Sequence, residues 1–195
     1  MTKWEYLQQE IEHKGIYRCE PGVHIPAKAP NQNYTWQFYL RRCMFNPRFM
    51  LTAAELLLEK IDLTGKQLGA CEDAGVPIAC AMSHLSGVPV VSIKKARKVY
   101  GLLNFTEGPI TGQPVVLVDD LAGSQNTLKK AESLLKAFGV PVDTKYVTLL
   151  NKTQGTHQTY LDAELISLFT CEDFAMSWDA YKTKYNKEPN FGFFC

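Results

Sequence analysis

The sequence predicts an α/β fold built on a central, mainly parallel sheet, and three observations predict it. From residue 52 onward, helical and extended signals alternate, as consecutive βα units require. The run Val115–Val118 is apolar and ends in Asp119 and Asp120, after which a Gly/Ser/Gln/Asn loop enters an amphipathic segment. A strand buried on both faces and joined to a helix by a short polar loop reads this way. Gly65, Gly87 and Gly139 each stand where a helical period stops, the usual place for a terminating glycine.

Taken in order, "MTKWEYLQQEIEHKG" alternates charge with Trp4, Leu7 and Ile11 at helical spacing, unlike a secretory signal. "GIYRCEPGVHIPAKAPNQNYTWQFYLRRCMFNPRF" is rich in proline, aromatics and arginine without a period, so residues 1–51 are expected to form a small irregular N-terminal cap, or hood. Thr52 and Glu55 stand in capping-box spacing and predict a helix that closes at Gly65. "KQLGACEDAG" reads as a strand and loop, "VPIACAMSHLSG" as a helix and "VPVVSIKK" as the next strand. "ARKVYGLLNFTEGPITGQ" is long for an α/β connection; connections of that length are usually lids or binding loops. "PVVLVDDL" is a strand, and Leu128, Ala131, Leu135 and Phe138 then recur at threes and fours, the spacing of a buried helical face. "DTKYVTLLNK" and "ELISLFT" supply two further strands, and Thr170 with Asp173 is expected to begin a C-terminal helix carrying Trp178 and Tyr181. The length suits one domain spanning 1–195, with 52–195 as its α/β core.

Lysine plus arginine number 21 against 20 acidic residues, so no polybasic field points to nucleic acid or an anionic membrane. The expected partner is a small molecule. No apolar run reaches the length of a membrane span, and the expected location is the cytoplasm. Cys19, Cys43, Cys71, Cys80, Cys171 and Cys195 form no C-x-x-C pair and read as reduced, idle thiols. His13, His24, His84 and His157 match no metal-binding spacing.

Asp119 and Asp120 stand at a strand end that leads into a helix, and ligands of parallel sheets bind there. Unpaired amides at the helix start favour an anion such as phosphate, and "GSQNT" adds the Ser124 and Thr127 hydroxyls. Two carboxylates beside a phosphate cradle suit a ribose phosphate, whose hydroxyls the carboxylates accept from. Read from these residues alone, a solvated strand end with one aspartate capping the helix is the competing reading.

With those residues in place, the chain resembles the type I phosphoribosyltransferases, and among them the orotate phosphoribosyltransferases. Their signature, a strand followed by D-D-x-x-T-T-G-G-T or D-D-L-x-N-S-G-R-T, stands here as "VVLVDDLAGSQNTL". Upstream, "GACEDAGVPIACAMSHLSGVPVVSIKKARKVYG" is similar to the family's diphosphate-binding loop and helix followed by its mobile catalytic loop. Downstream, "VTLLNKTQG" is similar to the segment that carries an aspartate-arginine pair in the orotate enzymes. The motifs keep the family's order across roughly two-thirds of the chain.

The resemblance implies a phosphoribosyltransferase-type fold and transfer of a phosphoribosyl group from 5-phosphoribosyl 1-diphosphate to a nucleobase, with orotate the expected acceptor. Asp119 and Asp120 would bind the ribose hydroxyls and face the positive charge of an oxocarbenium-like transition state. Gly123, Ser124, Gln125, Asn126 and Thr127 would hold the 5-phosphate. Lys94, Lys95, Lys98 and Tyr100 would contact the diphosphate, with Lys98 counted among the catalytic groups. Phe49 would stack on the base and Lys152 would face its anionic group. Mg2+ would be held mainly by the substrate, with no dedicated protein ligands. A homodimer is implied, because the mobile loop of the orotate enzymes reaches a neighbouring subunit's site.

Three departures stand out. Gln125 replaces a glycine of the phosphate loop, Tyr100 replaces a histidine, and Asn151 with Lys152 replaces the aspartate-arginine pair. Lysine keeps the charge of arginine without its planar fork. Two alternatives therefore stay open: a non-catalytic, regulatory binder of the same donor, and a phosphoribosyltransferase for another base.

Overall fold

The computed structural model describes residues 1–26, 33–94, 104–153 and 163–189. Its contacts divide into two compact units, one of Met1–Phe49 with the described residues from Cys171 onward, the other of Met50–Thr170.

In the first unit, α1 (Lys3–Glu10) starts at a capping box in which Thr2 and Glu5 satisfy each other's backbone amides. It runs into a π-helical turn at Ile11–Gly15. The segment read as irregular contains four short strands, β1 (Ile16–Arg18), β2 (Ile25–Pro26), β3 (Asn33–Tyr34) and β4 (Trp36–Phe38), then α2 (Arg41–Met44). β1 pairs antiparallel with β4, and β2 with β3.

At the centre of this unit lies Arg18, 1% exposed. Its Nε donates to the Ala175 carbonyl at 2.6 Å, and its two terminal nitrogens donate to the Glu12 carbonyl at 2.9 Å and the Glu12 carboxylate at 2.5 Å. A buried arginine needs each of these acceptors. No helix starts at Thr170. A single 3-10 turn, Cys171–Asp173, is followed by a short irregular segment that presents Ala175 to Arg18. The C-terminal helix (Trp178–Tyr185) starts after Ser177, whose hydroxyl accepts the Ala180 amide at 3.1 Å.

α3 (Pro47–Leu58) starts five residues before Thr52 and ends well short of Gly65. Pro47 occupies the first helical position and the Asn46 side chain accepts the Arg48 amide at 3.0 Å, a stronger start than the capping-box spacing at Thr52 and Glu55.

The second unit is built on β5 (Gln67–Cys71), α4 (Gly75–Ser86), β6 (Val90–Ile93), β7 (Thr106–Glu107), β8 (Val115–Ala122), α5 (Asn126–Ala137), β9 (Lys145–Asn151) and β10 (Glu164–Thr170). The six strands lie in the order β10-β9-β8-β5-β6-β7, all parallel except β7, which runs antiparallel to β6. α4 stops at Gly87, which takes a left-handed conformation. α5 buries Leu128, Ala131 and Leu135 against Val115, Leu117 and Tyr146. Phe138 leaves the predicted face and is 61% exposed, because α5 ends at Ala137 and the 100° advance per residue stops there.

The long connection read as a lid lies partly outside the described residues, at 95–103. Its return limb is clamped by the buried Gln67 side chain, which donates to the Pro109 carbonyl and accepts from the Thr111 amide and hydroxyl at 3.1 and 3.0 Å.

Candidate active site at the carboxyl end of the sheet

From β5 the chain passes to β6 on one side and returns to β8 on the other. The order therefore reverses between β5 and β8, and open α/β sheets bind ligands in the crevice outside the strand ends at such a point. β5 pairs with β8 only as far as Ala70 and Val118, whereas β9 accompanies β8 to Ala122. Asp119 and Asp120 follow the last β5 pairing, at the carboxyl end of the sheet. Successive strand side chains point to opposite faces. The two like charges therefore stand side by side without facing each other: Asp119 is buried and Asp120 half-buried, and the alternation sends them to opposite faces. The Asp119 carboxylate accepts the Asp120 amide at 3.0 Å.

A cavity of about 190 Å³ opens where β8 meets α5, lined by Asp119, Leu121 and the loop residues Gly123, Ser124, Gln125, Asn126 and Thr127, with Leu128 behind them. The structure thus gathers all five predicted phosphate-loop residues around Asp119, while Asp120 is not among the lining residues. Gln125 precedes the helix at φ 58°, ψ 8°, and no side chain caps it. The first intrahelical bond runs from the Lys129 amide to the Gln125 carbonyl at 3.0 Å. The amides of Asn126, Thr127 and Leu128 precede that bond, and the first turn carries no acidic residue. Such a helix start attracts an anion.

The other predicted residues are distributed more widely. Lys94, at the end of β6, is buried and ion-paired with Glu107 on β7. Lys95, Lys98 and Tyr100 lie outside the described residues. Lys152 follows the last residue of β9, and its amide donates to the Ala122 carbonyl at 2.7 Å, which holds it at the same end of the sheet as the phosphate loop. Asn151 is engaged locally, accepting the Thr153 amide at 2.9 Å. Phe49 is fully buried in α3, so a base could stack on it only after the ring is uncovered.

Gly75 is a site residue that sequence reasoning missed. A Cβ there would lie 2.3 Å from the Val118 carbonyl oxygen and 3.2 Å from the Asp119 Cα. The absence of a side chain is what lets α4 begin directly against the acidic strand end. The only hint in the sequence was a glycine at a helix start, where serine or aspartate is the commoner choice.

No protein-family model matches the chain. The orotate phosphoribosyltransferase of Nocardioides sp. is 30% identical over 113 residues, which are 57% of this chain and 63% of that protein. The match thus spans just under two-thirds of that relative's length. The orotate phosphoribosyltransferase of Methanocaldococcus jannaschii is 27% identical over 176 residues, 89% of this chain and 97% of that one. Two solved structures of Mycobacterium tuberculosis orotate phosphoribosyltransferase, each 18% identical, overlay with TM-scores of 0.71, covering 88% of this chain and 98% of that one, and 0.65, covering 88% and 90%. The second holds 5-phospho-α-D-ribosyl 1-diphosphate. The sheet topology and these likenesses define a type I phosphoribosyltransferase fold. Within that fold the chain is most like the orotate phosphoribosyltransferases.

Proposed function

We propose that the protein transfers a phosphoribosyl group from 5-phosphoribosyl 1-diphosphate to orotate, giving the nucleotide and diphosphate as a step of pyrimidine nucleotide synthesis. The observation that carries this reading is the cavity that joins the Asp119 carboxylate to the uncapped start of α5. One end of it suits a sugar hydroxyl and the other a phosphate. In the reaction the C1–O bond to diphosphate breaks with its electron pair leaving on diphosphate. A ring nitrogen of orotate forms the new C1–N bond, and its proton goes to solvent.

In this reading Asp119 accepts from ribose hydroxyls inside the cavity and Asp120 acts from the other face of β8. Both carboxylates stabilise the positive charge that develops on the ribose. Residues Gly123 to Thr127 hold the 5-phosphate. Lys94 exchanges Glu107 for the diphosphate, joined by Lys95, Lys98 and Tyr100 from the long connection, and Lys152 faces the orotate carboxylate as a point charge. Among the described residues no three His, Cys, Asp or Glu side chains converge as a metal site. The residues present fit Mg2+ as an ion that the donor's own oxygens would carry, with the Asp119 carboxylate at the cavity as the nearby protein charge. When bound there, it would neutralise the leaving group. The reading takes 1–195 as one phosphoribosyltransferase-like domain with 1–51 as its hood, working as a homodimer in the cytoplasm on soluble substrates. Among the described residues no helix is long and apolar enough to cross a membrane.

A second reading, a donor-binding regulator without catalysis, is favoured by one observation, the glutamine at the left-handed position of the loop. Diphosphate release from the donor, measured with orotate and a panel of other bases, separates the two. Orotate-dependent release that falls at least about tenfold in an Asp119→Asn, Asp120→Asn variant is expected. Binding of the donor without turnover on any base supports the regulator. Turnover on a neutral purine but not orotate moves the protein to another branch of the family.

A further inference from the structure

Gln125 combines two unfavourable features. Its backbone is left-handed, at φ 58°, a conformation that costs any residue with a Cβ and costs glycine nothing. The residue is 4% exposed, and among the described residues its Oε1 is a buried atom without a hydrogen-bond partner. A glycine, which the resembled motif has here, would remove both penalties. An energetically poor residue held in place within a ligand cavity points to a role that appears only with the ligand.

We propose that the Gln125 side-chain amide is a direct contact to the phosphate monoester of the bound sugar phosphate, and that it sets this protein's affinity for the donor. The inference rests on the proposed reading of the cavity as a phosphate cradle. The oxygen and nitrogen of a side-chain amide exchange places by rotation about its last torsion. Reaching the ligand requires the side chain to swing out of its buried position, which brings Nε2 to the cavity that Gln125 lines together with Ser124, Asn126 and Thr127. A donor to a phosphate oxygen forms a charge-assisted hydrogen bond, stronger than one between neutral groups. The orphaned position of the ligand-free protein is thereby satisfied. Glycine would allow closer backbone approach but contributes no donor, so this chain exchanges backbone proximity for a side-chain contact.

The test compares wild type with Gln125→Gly and Gln125→Met, the second keeping the side-chain length without the amide. Binding of ribose 5-phosphate is measured by calorimetry, KM and kcat for the donor by diphosphate release, and Tm without ligand by calorimetric melting. Both variants are expected to weaken ribose 5-phosphate binding and raise the donor KM about tenfold, with kcat held within about threefold. Gln125→Gly is also expected to raise the ligand-free Tm, a gain in stability that accompanies the loss of affinity. Unchanged or tighter binding by Gln125→Gly overturns the proposal, as does a wild type that does not bind ribose 5-phosphate. If wild type binds ribose 5-phosphate through Gln125 yet turns over no base, the contact stands and the transferase reading falls.

Discussion

Gly75 shows how much of the acidic site depends on an atom that is missing. α4 meets β8 at the Val118 carbonyl and the Asp119 Cα, and the obstruction on that side is backbone, which cannot rotate out of the way as a side chain can. Gly75→Ala is therefore expected to force α4 and β8 apart. Overpacking of this kind costs about 1–3 kcal/mol, and displacement of the proposed catalytic carboxylate, Asp119, is expected to lower turnover by about tenfold or more. Urea denaturation checks the first and steady-state diphosphate release the second. A Gly75→Ala protein with wild-type stability and turnover would mean that the contact relaxes at no cost. At this scale the sequence was partly legible. Asp119 and the loop Gly123–Thr127 were singled out from residue types and spacing, became a phosphate-site expectation only through the family resemblance, and lie around one cavity in the structure. Gly75 was not, since a glycine at a helix start carries no signal until the neighbouring strand is known. The exposed Phe138 was misread because helical periodicity does not say at which residue the helix stops.

At the scale of elements, the helix and strand cores of the sheet unit other than β7 followed from the sequence, whereas the short strands β1–β4 and α2 of the segment read as irregular, and the starts of α3 and the C-terminal helix, did not. α3 and the C-terminal helix both begin at caps, Asn46 and Ser177, that competed with plausible alternatives at Thr52 and Thr170. The arrangement that decided the second case is non-local. Glu12 and Arg18 form a buried ion pair whose remaining groups are satisfied by the Ala175 carbonyl and amide and by Lys184, residues far along the chain that no local pattern connects. The Tyr181 ring lies 4.5 Å from the guanidinium and covers it. Removing one partner leaves the other charge buried and incompletely compensated, so Arg18→Met is expected to destabilise the protein by about 3–5 kcal/mol. The double variant Arg18→Met, Glu12→Gln should recover part of that loss, because the orphaned charge goes with it. The cycle of four proteins, compared by urea denaturation, reads the coupling. A double variant whose loss equals the sum of the single losses would show that the pair is not energetically linked.

For the whole molecule, the open question is whether one chain completes a site. The described cavity carries the carboxylate and phosphate-loop groups on β8 and α5, whereas the proposed catalytic cation, Lys98, belongs to the connection outside the described residues. In the proposed homodimer this connection serves the partner's site, so the two halves of the chemistry can be inactivated on different chains. Lys98→Ala alone and the Asp119→Asn, Asp120→Asn variant alone should each be nearly inactive. In a mixture allowed to exchange subunits, about half of the dimers are hybrids, and in each hybrid one site receives both damaged parts while the other receives neither. Activity should therefore return to about a quarter of the wild-type level, set by that statistic and independent of how severe each substitution is. Exchange itself is verified by mass spectrometry of the intact hybrid. If the connection closes over its own chain, every site in the mixture keeps one defect and no activity returns, even with hybrids present. A monomer in solution gives the same null result without hybrids, and it would remove the shared site while leaving the transfer chemistry to be decided by the base panel.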